Sequence, residues 1–229
     1  MPMFDRAFMA GTERVAAWAD LLDRVNVFPV ADGDTGRNLV ISLAPLRRPF
    51  ENQKSLAREL LLAARGNSGN IAARFFSGFI AVDSLDNLAH HARRGREDAW
   101  KAIHDPKPGT MLSLFDALDE ILQPMKFPAD IGWVRQVVAH LETAVRTTPE
   151  LQPKLKKAGV VDAGALGMFI FFDGFFNTLI GKPDGFRPIS SAFEGMLEIS
   201  SSFREEVDSG YCIDTVLQGS AYSGETIQR

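Results

Sequence analysis

Cysteine is nearly missing: Cys212 is the single one in 229 residues. One thiol builds neither a disulfide framework nor a thiolate zinc site, and its isolation fits a reducing compartment, so a cytoplasmic location is expected. The first residues, Met1 to Arg6, hold no apolar signal-peptide run. A basic excess is missing too. Twenty-five Lys and Arg face 29 Asp and Glu, a formal net charge of −4. No basic field points to nucleic acid, and none is expected as a partner. An acidic chain that holds a polyanion needs metal ions or focused backbone donors. Familiar signatures are absent as well. The Gly-Lys pair at Gly181-Lys182 is followed by Pro183, so there is no P-loop, and neither G-x-G-x-x-G nor the protein-kinase set occurs. An EF-hand counted from Asp32 would put Gly36 and Leu43 where oxygen ligands belong.

A clean membrane span is also lacking. Residues 158–180 are largely apolar, but Asp162, Asp173 and Asn177 interrupt them. An ionised Asp at the bilayer centre costs roughly 2.5–3.5 kcal/mol. The stretch is expected to be a helix buried in a protein core, and no integral membrane segment is expected.

What is present is helical periodicity. Phe4, Phe8, Gly11, Val15, Trp18, Leu22 and Val25 step by three and four, one stripe on a long first helix. Asp34 or Thr35 can cap a short helix carrying Leu39, Leu43 and Leu46. Ser55 can cap a third, Leu56 to Ala64, and a fourth resumes near Ile71. Helices fit Asp86–Arg94 and Arg96–His104, then from Thr110 onward, then from an Asp130 cap. A short one fits around Phe193–Ser201. Eight or nine such helices with short connections give an all-α antiparallel bundle. Tyr211 to Leu217 alternates like a lone strand. The expected division is therefore a helical domain over 1–181, a linker over 182–209, and the start of a following domain over 210–229.

The most informative stretch runs from Asn26 to Asn38. Asp32 and Asp34 stand one residue apart on a loop loosened by Gly33 and Gly36. In extended backbone they project to one side, where two carboxylates can grip a hard cation. Thr35, Asn38 and the N–H groups opening the next helix can face anionic oxygens. A solvated Asp-Gly turn capping a helix is the alternative. A second loop, Arg65-Gly66-Asn67-Ser68-Gly69, brackets Asn-Ser with glycines before a helix. Pro108-Gly109-Thr110-Met111 and Val161-Asp162-Ala163-Gly164 are a third and a fourth. Singly each reads as a helix cap. Four small-residue loops opening four helices of one bundle point to a site at one end of it.

These four stretches, in this order, resemble the motifs of the ATP-binding domain shared by dihydroxyacetone kinases and the A subunit of bacterial fatty-acid kinase. Phe28-Pro29-Val30 and the Arg-Gly-Asn-Ser-Gly run are closer to the fatty-acid kinase branch, and Tyr211-Cys212 resembles the opening of the next domain there. The resemblance covers roughly residues 8 to 180. It implies a barrel-like bundle of eight helices with ATP at one end and two Mg²⁺ ions on the acidic loop. Asp32 and Asp34 match metal ligands, and Asn26 stands nearest to a third acidic ligand of the sugar kinases. Asn38, Asn67, Ser68 and Gly69 match phosphate-side positions. Thr35, Gly36 and Arg37 belong to the same loop, where Arg37 replaces the usual Thr and Ala31 the usual Pro. Gly109, Thr110, Asp162 and Gly164 match the loops around the nucleoside. The implied reaction is phosphoryl transfer from ATP to a fatty-acid carboxylate held by a DegV-type fatty-acid-binding protein or fused domain. A dihydroxyacetone-type kinase subunit and a non-catalytic nucleotide-binding regulator are the alternatives, and a homodimer is left open. None of His90, His91, His104 and His140 lies in a motif, and all four are expected at the surface.

Overall fold

Helix-length stretches of apolar residues at three- and four-residue spacing, broken by Pro and Gly, leave the described residues only helices to pair. The computed structural model describes residues 2–204 except 51, 124–129 and 187, and the expected strand at Tyr211–Leu217 lies outside them. Among the described residues the elements are α1 (Met3–Ala17), α2 (Ala19–Arg24), α3 (Thr35–Leu43), α4 (Gln53–Ala63), α5 (Gly66–Phe79), α6 (Leu85–Trp100), α7 (Met111–Leu122), α8 (Ile131–Arg146), α9 (Thr148–Leu151), α10 (Pro153–Ala158), α11 (Ala163–Leu179) and α12 (Ile189–Ala192). Eight of these, α1, α3 to α8 and α11, have nine or more residues. The all-α bundle is as expected. Packing runs from α1 to α3, α5, α6, α7, α8 and α11 and returns to α1, with α4 outside α3 and α5.

Phenylalanine fills the ring. Phe8, Phe75, Phe76, Phe79, Phe115, Phe171, Phe172, Phe175 and Phe176 are fully buried. Burying each such side chain contributes about 1.5–3 kcal/mol. Phe75 stacks on Phe115 with centroids 3.9 Å apart, and Phe8 meets Phe175 edge-on at 5.1 Å. Helix α11 is buried on nearly every face, as a helix apolar all round should be. Its two polar interruptions are answered inside the protein. Arg14 of α1 pairs with Asp173, and Asn177 Nδ2 donates to Asp173 Oδ1 at 2.8 Å. Among the described residues no helix is long and apolar enough to cross a membrane.

Several boundaries differ from expectation, each for a local reason. The first helix breaks at Trp18, so the stripe divides between α1 and α2. Helix α4 starts earlier, because Asn52 Oδ1 accepts from Lys54 N and Ser55 N at 3.0 and 3.1 Å and takes the cap from Ser55. The two helices expected around Gly95 are one, α6. A β-carbon at Gly95 would sit 2.6 Å from Phe75 O, so this glycine marks the closest approach of α5 and not a break. Helix α5 begins at Gly66, five residues early, which puts Asn67, Ser68 and Gly69 in its first turn. The short helix expected at Phe193–Ser201 lies instead at Ile189–Ala192. The chain after it runs along the bundle: Val161 N donates to Met196 O at 3.2 Å, Ser200 N to Ala158 O at 2.8 Å, and Phe193 meets Phe169 edge-on.

The buried Arg14–Asp173 pair gives a direct test. Arg14→Met is expected to destabilise the protein by about 3–5 kcal/mol in urea unfolding, because it strips the guanidinium from a buried carboxylate. Arg14→Met combined with Asp173→Asn should lose less than Arg14→Met alone.

Candidate functional site

The acidic loop connects α2 to α3 and contains a cis peptide at Phe28–Pro29. Asn26 is buried at its base, and its Nδ2 donates to Asp32 Oδ1 at 2.6 Å. Asp32 is exposed and Asp34 half-buried. The two carboxylates lie within hydrogen-bonding reach of each other, and Asn38 lies within the same reach of Asp34. Burial raises the Asp34 pKa most, the Asp32 charge raises it further, and Asn38 and the charge of Arg37 oppose this. Two like charges held this close favour a proton or cation between them. The donors are all oxygens, the set that suits Mg²⁺. Among the described residues no group of three or more His, Cys, Asp or Glu gathers to hold a metal, so the loop offers two carboxylates and the Asn26 amide.

The start of α3 is held from elsewhere. Asp34 occupies the N-cap position without bonding through its side chain as a cap. Instead Asp23, from α2, accepts at Oδ1 from Gly36 N at 2.7 Å and Arg37 N at 3.2 Å. These two amides were expected to be open to a ligand, and a carboxylate already takes them. Gly36 makes the approach possible: a β-carbon there would lie 2.1 Å from Ala19 O. Arg37 leans back over the loop, donating from Nη2 to Gly33 O at 3.2 Å, with Nε 3.9 Å from Asp23 Oδ2. Its side chain stays 67% exposed.

The second loop meets the first. A β-carbon at Gly66 would lie 2.5 Å from Asn38 Nδ2, and one at Gly69 would lie 2.2 Å from Ser42 Oγ. Ser42 Oγ also accepts from Arg65 N at 3.0 Å. The first turn of α5 therefore lies along α3, with Asn67 exposed, Ser68 half-buried and Gly69 buried at the contact.

The third and fourth loops are tied to each other. Asp162 caps α11, accepting at Oδ1 from Ala165 N at 2.7 Å. Its carboxylate also takes the N–H groups of Gly164 and of Met111, the first residue of α7. Thr148 Oγ1 accepts from Asp162 N at 3.0 Å. Gly109 has φ +75°, and a β-carbon on it would lie 2.6 Å from Leu151 Cβ. Thr110 caps α7 with Oγ1 3.4 Å from Leu112 N. Asp162 is only 5% exposed, so it shapes these loops from beneath. Burial pushes its pKa up to about 7 against the pull of the three N–H donors.

Two contacts bridge the pairs of loops. Leu22 and Leu39 pack on Gly167 of α11, and Lys154 of α10 donates to Pro29 O at 2.9 Å. All four sequence-flagged loops thus belong to one connected region at the starts of α3, α5, α7 and α11. Asp23 was missed. It stands 13 residues before the Gly36 amide it takes, and no local pattern marks a cap at that distance. The histidines stay outside the region. His90 and His104 are exposed, whereas His140 is half-buried and His91 is half-buried against Gly78 of α5.

Asp162 makes stability depend on pH in a defined sense. Its folded pKa of about 7 exceeds the ordinary 3.8, so between these values the folded chain holds more protons than the unfolded one. Urea midpoints are expected to fall as pH rises from about 4 to about 7. Asp162→Asn, which keeps a capping oxygen, should flatten that fall.

Comparison with other proteins agrees in extent with the motifs. Residues 29–177 match the DAK2 domain family. The chain is 30% identical to an uncharacterized protein of Staphylococcus saprophyticus and 29% identical to one of Staphylococcus haemolyticus. Each match covers 94% of this chain and 43% of the relative. A protein of Staphylococcus aureus strain USA300, also described as uncharacterized, is 30% identical with the same coverage. The chain therefore spans less than half the length of the curated relatives it matches. With well over half of its residues inside the family match, the chain belongs to the DAK2 domain family.

Proposed function

We propose that this domain is the ATP-binding half of a kinase, transferring the γ-phosphoryl group to a carboxylate presented by a separate protein or domain. A DAK2 domain is a kinase-like nucleotide-binding module, and the finer reading is ours. The observation that carries it is the contact between Asp32 and Asp34 on the loop leading into α3, the helix that packs against the first turn of α5. Phosphoryl transfer asks a protein mainly for positioning and charge neutralisation. Asp32 and Asp34 would hold Mg²⁺, with Asn26 fixing the direction of Asp32. Magnesium, when bound, neutralises charge building on the phosphates.

The chain's own groups do the rest. Asn38, Asn67 and Ser68 would meet the phosphates where α3 and α5 converge. The first amides of α5 have no acceptor within their own helix and would be available to an anion there. Gly69, against Ser42, lets the two helices approach closely. Gly109, Thr110 and Gly164 would border the nucleoside, with Asp162 holding both turns in place. A carboxylate acceptor is already ionised and needs no general base, which fits a region whose four loops contain no histidine. The proposed acceptor is a fatty acid on a DegV-type binding protein or fused domain, in the cytoplasm.

Calorimetry tests the metal and nucleotide claims together. ATP is expected to bind the wild-type protein in the presence of Mg²⁺ and much more weakly in EDTA. Asp34→Ala should abolish the Mg²⁺-dependent binding while far-UV circular dichroism stays helical. Unchanged binding by Asp34→Ala would refute the metal role. With the full-length protein, turnover of a carrier-bound fatty acid but not of dihydroxyacetone is expected; the reverse result would assign a glycerone kinase, and tight nucleotide binding without turnover of either would assign a regulator.

A further inference from the structure

The start of α3 is electrostatically inverted relative to an ordinary anion-binding helix end. Two of its N-terminal amides, Gly36 N and Arg37 N, are bonded to the Asp23 carboxylate. A third, Asn38 N, is used inside the helix, bonded to Asp34 O at 2.8 Å. A phosphate approaching there would face the Asp23 carboxylate on two of the amides and the Asp32 and Asp34 carboxylates on the preceding loop. Within the first turn of α3, Thr35 to Asn38, the one fixed positive charge is Arg37. Arg37 stands on the first turn of α3, its guanidinium between Gly33 O and Asp23 Oδ2, with most of its length in solvent. Its charge reaches Asp34.

We propose that Asp23 and Arg37 work as a pair that makes the site favour a nucleoside triphosphate over a diphosphate. This inference rests on the reading of the acidic loop as the Mg–nucleotide site. Asp23 is the positioning residue: it takes the α3 amides and holds the Arg37 stem toward the acidic loop. Arg37 is the phosphate-binding residue. Its contact to Gly33 O is a neutral hydrogen bond on an exposed side chain, easily exchanged for a charge-assisted bond to phosphate oxygen. Metal held by Asp32 and Asp34 would offset the charge of a polyphosphate and so favour its outer phosphates at this loop. An arginine beside that loop therefore meets the terminal phosphate, which a diphosphate lacks. A lysine here would supply charge without the two-pronged geometry.

Affinities for MgATP and MgADP, measured by calorimetry on the wild-type protein and on Arg37→Ala, Arg37→Lys and Asp23→Asn, test the pair. Arg37→Ala is expected to weaken MgATP binding by about tenfold and leave MgADP nearly unchanged, the size of one lost charged hydrogen bond. Arg37→Lys should restore part of the ATP preference. Asp23→Asn keeps a capping oxygen and should lower the preference without changing the helical circular dichroism signal. A wild-type protein that binds neither nucleotide would sink the site reading itself. Normal wild-type binding with an unaltered ATP-to-ADP ratio in Arg37→Ala would overturn this inference alone.

Discussion

Buried helix ends constrain this molecule more than its apolar core does. A helix that starts in the interior leaves its first N–H groups without intrahelical acceptors, and water cannot reach them. Helix α11 starts inside the protein, with Asp162 and Ala163 both buried. The Asp162 carboxylate answers its N–H groups and, with the same oxygens, the first N–H of α7. One residue thereby fixes two helix starts against each other. Asp23 does the corresponding work for α3 from the preceding helix. The convergence of four loops follows from acceptors that have to be shared, and any ligand site there inherits its geometry from them.

The core itself is permissive by comparison. Among the described residues ten fully buried phenylalanines pack in edge-on, tilted and stacked contacts on and around α11. Such a core rewards apolar volume and forgives modest changes of shape. It does not choose which end of the bundle carries chemistry. That choice lies with the polar residues at the helix starts, and the burial of Arg14 with Asp173 adds a fixed register between α1 and α11.

Much of this was legible from the residues, because helical periodicity and capping are local. The α8 start at Asp130 and the α7 start at Thr110 follow from side-chain oxygens one to three residues from the amides they serve. The buried character of α11 followed from its lack of a polar face. What was not legible depends on partners far away in the chain. Gly95 looks like a helix breaker in sequence, but it is a contact point because Phe75 O lies against it. Ser55 looks like a cap, yet Asn52 does that work three residues earlier. In the site, the closeness of Asp32 and Asp34 could be read from their spacing. The capture of the Gly36 and Arg37 amides by Asp23 could not, since it depends on α2 folding back onto α3 across Gly36 and Ala19.

The relation between charge and metal closes the argument. Three carboxylates near one loop, with a net charge of −4 on the whole chain, repel a polyphosphate unless cations intervene. A site built from bare amides could bind phosphate alone. This one has used two of its α3 amides to hold a carboxylate, so under the proposed reading polyphosphate affinity at that helix end would come from Mg²⁺ on Asp32 and Asp34 and from Arg37, beside the first amides of α5. Such a site would stay closed to free phosphate and open to a metal-bound one. That selectivity would suit the proposed kinase half, whose phosphoryl donor would reach it as a magnesium complex.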